Sequence, residues 1–107
     1  MRRYRVSRQA EGDLDEIFVY WVKRASLEIA ERLVDSITDR FWLLGEHPNA
    51  GKSVSHIASG VRCFPAGNYL IYYRKSRLAT EILHIFHGAR DQKRAFGKAS
   101  PPQPSRI

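Results

Sequence analysis

Apolar residues in the first half of the chain recur every three or four positions, which is the period of an amphipathic helix. The first stripe consists of Ala10, Leu14, Ile17 and Trp21, widened by Phe18 and Val22. Ser7 stands before it, where a serine hydroxyl can cap a helix, and several acids follow close behind. The pattern predicts a first helix that begins after Ser7 and ends near residues 23–25.

A second stripe with the same spacing predicts a longer helix. Its members are Leu27, Ala30, Val34, Ile37, Phe41 and Leu44. Ser26 is placed to cap its start, and Pro48 ends it because the residue before a proline is disfavoured in the helical region. Only residues 24–25 link the two stripes, so the helices are expected to form an antiparallel hairpin.

The second half of the chain changes to alternating apolar positions, the period of a strand. The predicted strands are Val61–Phe64, Tyr69–Arg74 and Thr80–Phe86, after a short opening strand at residues 2–6. Turn-like links at 65–68 and 75–77 predict antiparallel neighbours, and residues 49–59 are expected to form a loop. The predicted fold is therefore α+β, with the order β-α-α-β-β-β and a helical hairpin packed on a small, mostly antiparallel sheet.

Alternation also assigns the strand side chains to two faces. In the middle strand Tyr69, Ile71 and Tyr73 share one face, while Leu70 and Tyr72 take the other. In the last strand the expected faces are Ile82, His84 and Phe86 against Leu83, Ile85 and His87. Because both faces are apolar, the hairpin is expected to cover one face, and a partner or the chain's own tail the other.

The length of 107 residues fits one domain with one core. We assign that domain to residues 1–96, with a short helical turn expected at 89–96. Residues 97–107 are rich in proline and serine and lack an apolar period, so they are expected to form a flexible tail.

The net charge of +7 is unevenly distributed along the chain. Residues 1–8 carry four arginines and no acid, residues 9–50 carry nine acids against four bases, and residues 51–107 carry ten bases against two acids. Segregated basic segments attract phosphate backbones or acidic protein surfaces. The polarity therefore indicates a binding face in the second half of the chain.

No apolar run is long enough to span a membrane, and the first residues do not resemble a signal peptide. The single cysteine, Cys63, excludes an intrachain disulfide and favours the cytoplasm. Nucleotide-binding and Cys-x-x-Cys motifs are absent, so no cofactor is expected. His84 and His87 are three apart in a strand and face opposite ways, so no metal site is expected either.

Two groups of residues remain as candidates for function. The first is basic and aromatic: Arg62, Tyr69, Tyr72, Tyr73, Arg74, His84, His87 and Arg90. Cations beside a proton-transfer group are what metal-free RNA cleavage requires, although tyrosines are also ordinary strand residues. The second is a surplus of apolar residues on the hairpin, which indicates either extra core or a groove for a partner helix.

Several short motifs, in order, resemble the ParE-like branch of the RelE/ParE toxin superfamily. They are YRVSRQAEGDLDEIFVYW from Tyr4, P-N-A-G from Pro48, G-V-R from Gly60, N-Y-L-I-Y-Y-R from Asn68 and I-L-H-I-F-H-G-A-R-D from Ile82. The resemblance spans about residues 4–91. It implies a β-α-α-β-β-β toxin of a type II toxin–antitoxin system, cytoplasmic and neutralised by a ParD-type antitoxin in a hetero-oligomer.

The resemblance leaves three functions open. RelE-like members cleave messenger RNA on the ribosome, whereas ParE-like members are associated with DNA gyrase and lack most of the nuclease residues. Because the loop before the sheet offers only Lys52 and His56, we favour an inhibitor of gyrase without catalytic residues. The alternatives are a metal-independent, ribosome-dependent nuclease and an antitoxin-binding module that has lost its toxicity.

Each hypothesis assigns its own residues. The target-binding candidates are Arg62, Arg74, Arg90, Lys93, Arg94 and Phe96. The antitoxin-binding candidates are Leu14, Phe18, Trp21, Trp42 and Tyr72. The nuclease alternative would use Arg62, Arg74, His84, His87 and Arg90.

Overall fold

The computed structural model describes residues 3–88, which form two helices and five strands. In chain order these are β1 (Tyr4–Val6), α1 (Arg8–Arg24), α2 (Leu27–Glu46), β2 (Lys52–Ser53), β3 (Val61–Ala66), β4 (Tyr69–Lys75) and β5 (Thr80–His87). The turn predicted at 89–96 and the tail predicted at 97–107 lie outside the described residues. Within residues 3–88, neither helix is long and apolar enough to cross a membrane.

Serine side chains begin both helices, as predicted. The Ser7 hydroxyl accepts a hydrogen bond from the Ala10 N–H at 3.0 Å, and Ser26 does the same for Ile29 at 3.1 Å. Each hydroxyl satisfies an N–H that the first helical turn leaves without an intrahelical partner. His47 ends α2 one residue before Pro48, which confirms the predicted boundary.

The five strands form one sheet in the order β1-β5-β4-β3-β2. The pairs β2–β3, β3–β4 and β4–β5 are antiparallel, whereas β1 lies parallel to β5 with Tyr4 opposite Thr80. The hairpin carries the chain from β1 at one edge of the sheet to β2 at the opposite edge. The last strand, β5, can therefore pair with β1. The α+β architecture is therefore confirmed.

The sheet differs from the prediction mainly at β3 and β2, while β4 and β5 each extend one residue further than predicted. β3 continues through Pro65 to Ala66, so the turn before β4 contains only Gly67 and Asn68. Pro65 is tolerated because β2 begins only at Lys52, opposite Cys63, and runs away from the proline, which leaves the outer edge of β3 open at Pro65. β2 itself lies inside the segment predicted to be a loop.

The main core lies between the hairpin and one face of the sheet. Its buried members are Ala10, Ile17, Ile37, Phe41, Leu44, Ala66, Tyr69, Ile71, Tyr73, Ile82 and Ile85. The helical stripes supply their predicted residues, except that Leu27 is 55% exposed. Leu27 is the first residue of α2, at the turn of the hairpin, where the sheet does not reach it.

A second, smaller cluster covers the opposite face of the sheet. It contains Val54, Val61, Tyr72 and Phe86, with Ala58, Cys63, Leu70 and Leu83 packed against it. Residues 54–58 thus cover part of the face for which the sequence predicted a partner or the tail. Tyr72 separates from Tyr69, Ile71 and Tyr73 as the alternation predicts.

The face assignment predicted for the last strand is wrong for Ile82 and for Leu83. Tyr72 lies opposite His84, but Tyr73 lies opposite Ile82, so Leu83 is an extra residue in β5. This irregularity places Ile82 with Ile85 in the main core and Leu83 with Phe86 in the second cluster. An inserted residue reverses the alternation, which the sequence period by itself does not reveal.

Candidate functional site

The turn after α2 is tied to the sheet by the hydroxyl of Tyr73. That oxygen accepts a hydrogen bond from the Gly51 N–H at 2.7 Å and donates one to the Pro48 carbonyl at 2.8 Å. Tyr73 is 0% exposed, and its bond with Gly51 is buried while its bond with Pro48 is part-buried. The P-N-A-G motif is therefore a docking point for the sheet.

Gly51 is required by this close approach. A Cβ atom at this position would lie 2.5 Å from the Tyr73 hydroxyl oxygen and 2.7 Å from the Cys63 carbonyl oxygen. Both distances are below any ordinary contact, and one neighbour is backbone that cannot move alone. The glycine therefore permits the turn to lie directly against β3 and β4.

Arg62 holds the same turn from the neighbouring strand. Its Nε donates to the Gly51 carbonyl at 3.0 Å, and a terminal nitrogen donates to the Asn49 carbonyl at 3.3 Å. Arg62 lies opposite Tyr73 in the β3–β4 register and therefore shares its face of the sheet. Arg62 was predicted to bind the target, but its guanidinium instead holds the backbone of residues 49–51 in place.

Arg74 lies on the other face, in a row of charges across three strands. Glu81 is opposite Arg74 on β4 and opposite Arg5 on β1. Its carboxylate oxygens form ion pairs with a terminal guanidinium nitrogen of Arg74 at 3.2 Å and of Arg5 at 3.3 Å. One carboxylate therefore orients two guanidiniums, both of which remain at least half exposed.

Asp13 binds the edge of β5 where β1 no longer covers it. Its carboxylate accepts the Ile85 N–H at 2.9 Å and lies 3.3 Å from Nδ1 of His84. The Asp13 side chain is only 12% exposed, and the bond spans 72 residues of sequence. Sequence reasoning missed this residue because an acid near the start of a helix also fits the helix dipole.

His87 lies on the hairpin face of the sheet, opposite Tyr69. The two rings meet edge to face with centroids 5.3 Å apart, and the Tyr69 hydroxyl accepts a hydrogen bond from Trp21 Nε1 at 2.9 Å. Burial raises the pKa of Tyr69, which the bond from Trp21 offsets only in part. Tyr69 is therefore held as a neutral, buried phenol.

The four described members of the proposed nuclease set do not converge. Arg62 and His87 lie on the hairpin face, whereas Arg74 and His84 share the opposite face with Tyr72. His84 is moreover engaged by Asp13, and Arg62 by backbone carbonyls. Arg90, like Lys93, Arg94 and Phe96, lies outside the described residues.

The proposed antitoxin contacts differ in their exposure. Leu14 and Trp21 pack against the main core, and Phe18 is half-buried on α1. Trp42 is 65% exposed on α2, in helical register with the exposed Asp39 and Glu46. Tyr72 is 0% exposed, so the prediction that it contacts the antitoxin at the surface is wrong. It fills the second cluster because its neighbours on β3 and β5 face the same way.

A groove of about 450 Å³ opens beside the tied turn, between β2 and the end of β3. Its lining is Ala50, Gly51, Lys52, Val54, His56, Cys63, Phe64, Pro65 and Leu70. Burial raises the pKa of the Cys63 thiol, while a hydrogen bond with Tyr72 and the charge of Lys52 lower it in part. Over residues 3–88, no cluster of three or more His, Cys, Asp and Glu is arranged to hold a metal ion.

Comparison with known proteins agrees with this architecture. The pattern of the family described as ParE toxin of the type II toxin–antitoxin system parDE matches residues 4–92. The chain is 28% identical to Toxin ParE1 of Caulobacter vibrioides over 97 residues, which cover 91% of this chain and 100% of that protein. A structure of the chromosomal ParDE system from P. aeruginosa superposes with a TM-score of 0.73 at 24% identity, over 82% of this chain and 97% of that one. This chain therefore belongs to the ParE toxin family of type II toxin–antitoxin systems.

Proposed function

We propose that this toxin inhibits DNA gyrase by binding it directly and that a ParD-type antitoxin neutralises it in a hetero-oligomeric complex. The family match over residues 4–92 is the observation that carries the proposal. It includes both helices and all five strands, so the whole described domain takes part in the resemblance. The target and the class of antitoxin are inferred from the family. Because a gyrase inhibitor acts where gyrase is, we also propose that the toxin is cytoplasmic.

The arrangement of the polar groups supports binding over RNA cleavage. A metal-free nuclease needs a proton-transfer group and a cation on the same phosphate. Arg62 and His84 lie on opposite faces of the sheet, and each already has a partner of its own. Arg62 and His84 therefore cannot act together on one phosphodiester. Arg74 and His84 share a face, but Glu81 already holds Arg74 and Asp13 already holds His84.

The hairpin is the proposed surface for the antitoxin. Trp42 is an exposed aromatic on an acidic helix, which fits a partner segment with apolar and basic side chains. Phe18 on α1 is half-buried and is proposed as a second contact. An antitoxin bound only to the folded toxin would also stabilise it by mass action.

The basic residues that follow the described domain are proposed as a further contact with the target. Arg90, Lys93 and Arg94 precede Phe96 in the sequence. Positive charge speeds encounter with an acidic surface, and a large aromatic supplies affinity. Removing residues 97–107 is expected to leave toxicity intact. Removing residues 89–107 is expected to reduce toxicity while antitoxin binding is retained.

Supercoiling of relaxed plasmid by purified gyrase tests the proposal directly. The toxin should inhibit supercoiling in proportion to its concentration, and prior addition of the antitoxin should restore activity. Transcripts from cells that produce the toxin should remain uncleaved. Ribosome-dependent transcript cleavage would instead support the nuclease, and antitoxin binding without any toxicity would support the inactive module.

A further inference from the structure

The most exposed large hydrophobic residue of the described chain lies in the turn between β4 and β5. Leu78 is 86% exposed, more than Trp42 at 65%. The turn that carries it is well defined: the Ser76 N–H and hydroxyl both donate to the Ala79 carbonyl, at 3.0 and 2.7 Å. Ala79 N–H returns a bond to the same hydroxyl at 3.3 Å. A rigid turn therefore presents an uncovered leucine to solvent.

Several cations lie next to this leucine in the turn or on the strands that the turn joins and their neighbour β1. Lys75 and Arg77 flank the turn and are exposed. The Arg5–Glu81–Arg74 row lies one residue further along the strands. Arg3 also approaches, because its carbonyl accepts the Thr80 N–H at 2.9 Å.

Five cations therefore lie in the turn or near it, on β4 and on or next to β1: Arg3, Arg5, Arg74, Lys75 and Arg77. The carboxylates paired with them are Glu46, 3.7 Å from Arg3, and Glu81. Five positive charges against two negative charges leave a surplus of three. Leu78 and these five cations are called the basic turn surface below.

We propose that the basic turn surface is where the toxin meets gyrase, through an acidic patch of the enzyme with an apolar depression that receives Leu78. This inference rests on the proposed function and specifies its contact surface. A rigid turn loses little conformational freedom on binding, so burial of Leu78 contributes almost fully to affinity. Glu81 likewise holds two guanidiniums in place before the partner arrives.

The exposed leucine favours a protein partner over nucleic acid. Phosphate backbones are bound by cations and hydrogen-bond donors, and an aliphatic side chain at the centre of the surface adds nothing to such contacts. An apolar centre with a charged rim is instead the usual anatomy of a protein interface. In such an interface the rim charges speed association, while the buried centre slows dissociation.

The test measures binding of the full-length toxin to immobilised purified gyrase, with rates recorded at several salt concentrations. Leu78→Ala should weaken binding about 10-fold or more, through faster dissociation. Arg77→Glu should slow association and reduce its dependence on salt. Inhibition of supercoiling should weaken in parallel.

The matched controls lie on the hairpin. Leu27→Ala removes a leucine that is 55% exposed, and Lys23→Glu reverses an exposed charge. Both should bind gyrase as the unchanged toxin does, and all four variants should keep the melting temperature. The two turn variants should also keep the affinity for the antitoxin.

If the unchanged toxin binds gyrase and Leu78→Ala and Arg77→Glu bind it with the same affinity, the surface assignment is wrong. The proposed function would still stand. Absence of wild-type binding would overturn both. If the Arg77→Glu toxin lost affinity for linear double-stranded DNA and not for gyrase, the surface would be a nucleic-acid site, and the inference would be wrong.

Discussion

The hydroxyl of Tyr73 accepts the backbone N–H of Gly51 at 2.7 Å, which joins the turn after the hairpin to the centre of the sheet. The same oxygen donates to the Pro48 carbonyl in a part-buried bond, so one side chain pairs two backbone groups of the turn. The bond with the Gly51 N–H is buried, where water is not an alternative partner. The position of residues 48–51, and of the groove beside them, therefore depends on a strand residue more than 20 positions away.

Tyr73→Phe should lower the free energy of unfolding by about 1–3 kcal/mol, because Gly51 N–H and Pro48 C=O both lose their partner. Urea unfolding measures the change. Tyr20→Phe is the matched control, since a phenylalanine ring keeps the contact with Arg24 at 5.1 Å and little stability should be lost. Equal stability of the two variants would show that water replaces the Tyr73 hydroxyl.

Arg62→Ala and Arg74→Ala should differ in stability although they make the same change on neighbouring strands. Arg62→Ala removes the donors to Gly51 and Asn49 and should cost about 1–3 kcal/mol. Arg74→Ala breaks an exposed ion pair and should cost within about 1 kcal/mol. Thermal unfolding of both variants checks this. A larger loss in Arg74→Ala contradicts the structural role of Arg62.

Asp13→Ala should destabilise the contact between α1 and β5 by about 1–3 kcal/mol, because Ile85 N–H loses its acceptor. Asp13→Asn keeps an amide oxygen for that bond and should recover part of the loss. Hydrogen exchange at Ile85 should accelerate in the alanine variant before exchange in the main core does. Asp15→Ala, an exposed acid on the same helix, serves as the control and should leave this exchange unchanged.

Cys63 should make folding sensitive to alkaline pH. Its pKa is raised above 9.0 in the folded chain, so the unfolded chain ionises first as pH increases. The stabilising contribution is therefore complete below pH 9 and is lost as pH rises through the folded pKa. Urea unfolding at pH 8 and pH 10 should show a smaller alkaline loss in Cys63→Ala than in the unchanged chain. Tyr69, with its own raised pKa, should contribute to the alkaline loss in both proteins.

Trp42→Ala should weaken antitoxin binding about 10-fold or more, because a large exposed aromatic loses its burial in the complex. Calorimetric titration with the purified antitoxin measures this. Leu27→Ala is the control for an exposed apolar residue elsewhere on α2. Unchanged affinity in Trp42→Ala would place the antitoxin on another surface, and gyrase inhibition should be retained in both variants.

The helical hairpin and the three main strands could be predicted from the sequence alone. Those elements follow from contacts between residues close in the chain: the stripe period, the serine caps at Ser7 and Ser26, and the proline after His47. Local signals of this kind act in the same way whatever the rest of the chain does. The family resemblance likewise depends on motif order, which the sequence displays in full.

The contacts of the individual side chains could not be predicted from the sequence and are seen only in the tertiary structure. The inserted Leu83, the burial of Tyr72 and the bond from Ile85 to Asp13 all depend on which strand lies beside which. Arg62 and Arg74 look alike in the sequence, but the pleat sends one to a backbone turn and the other to a charged row. Such assignments depend on partners distant in the chain, and the sheet brings those partners together only once it has formed.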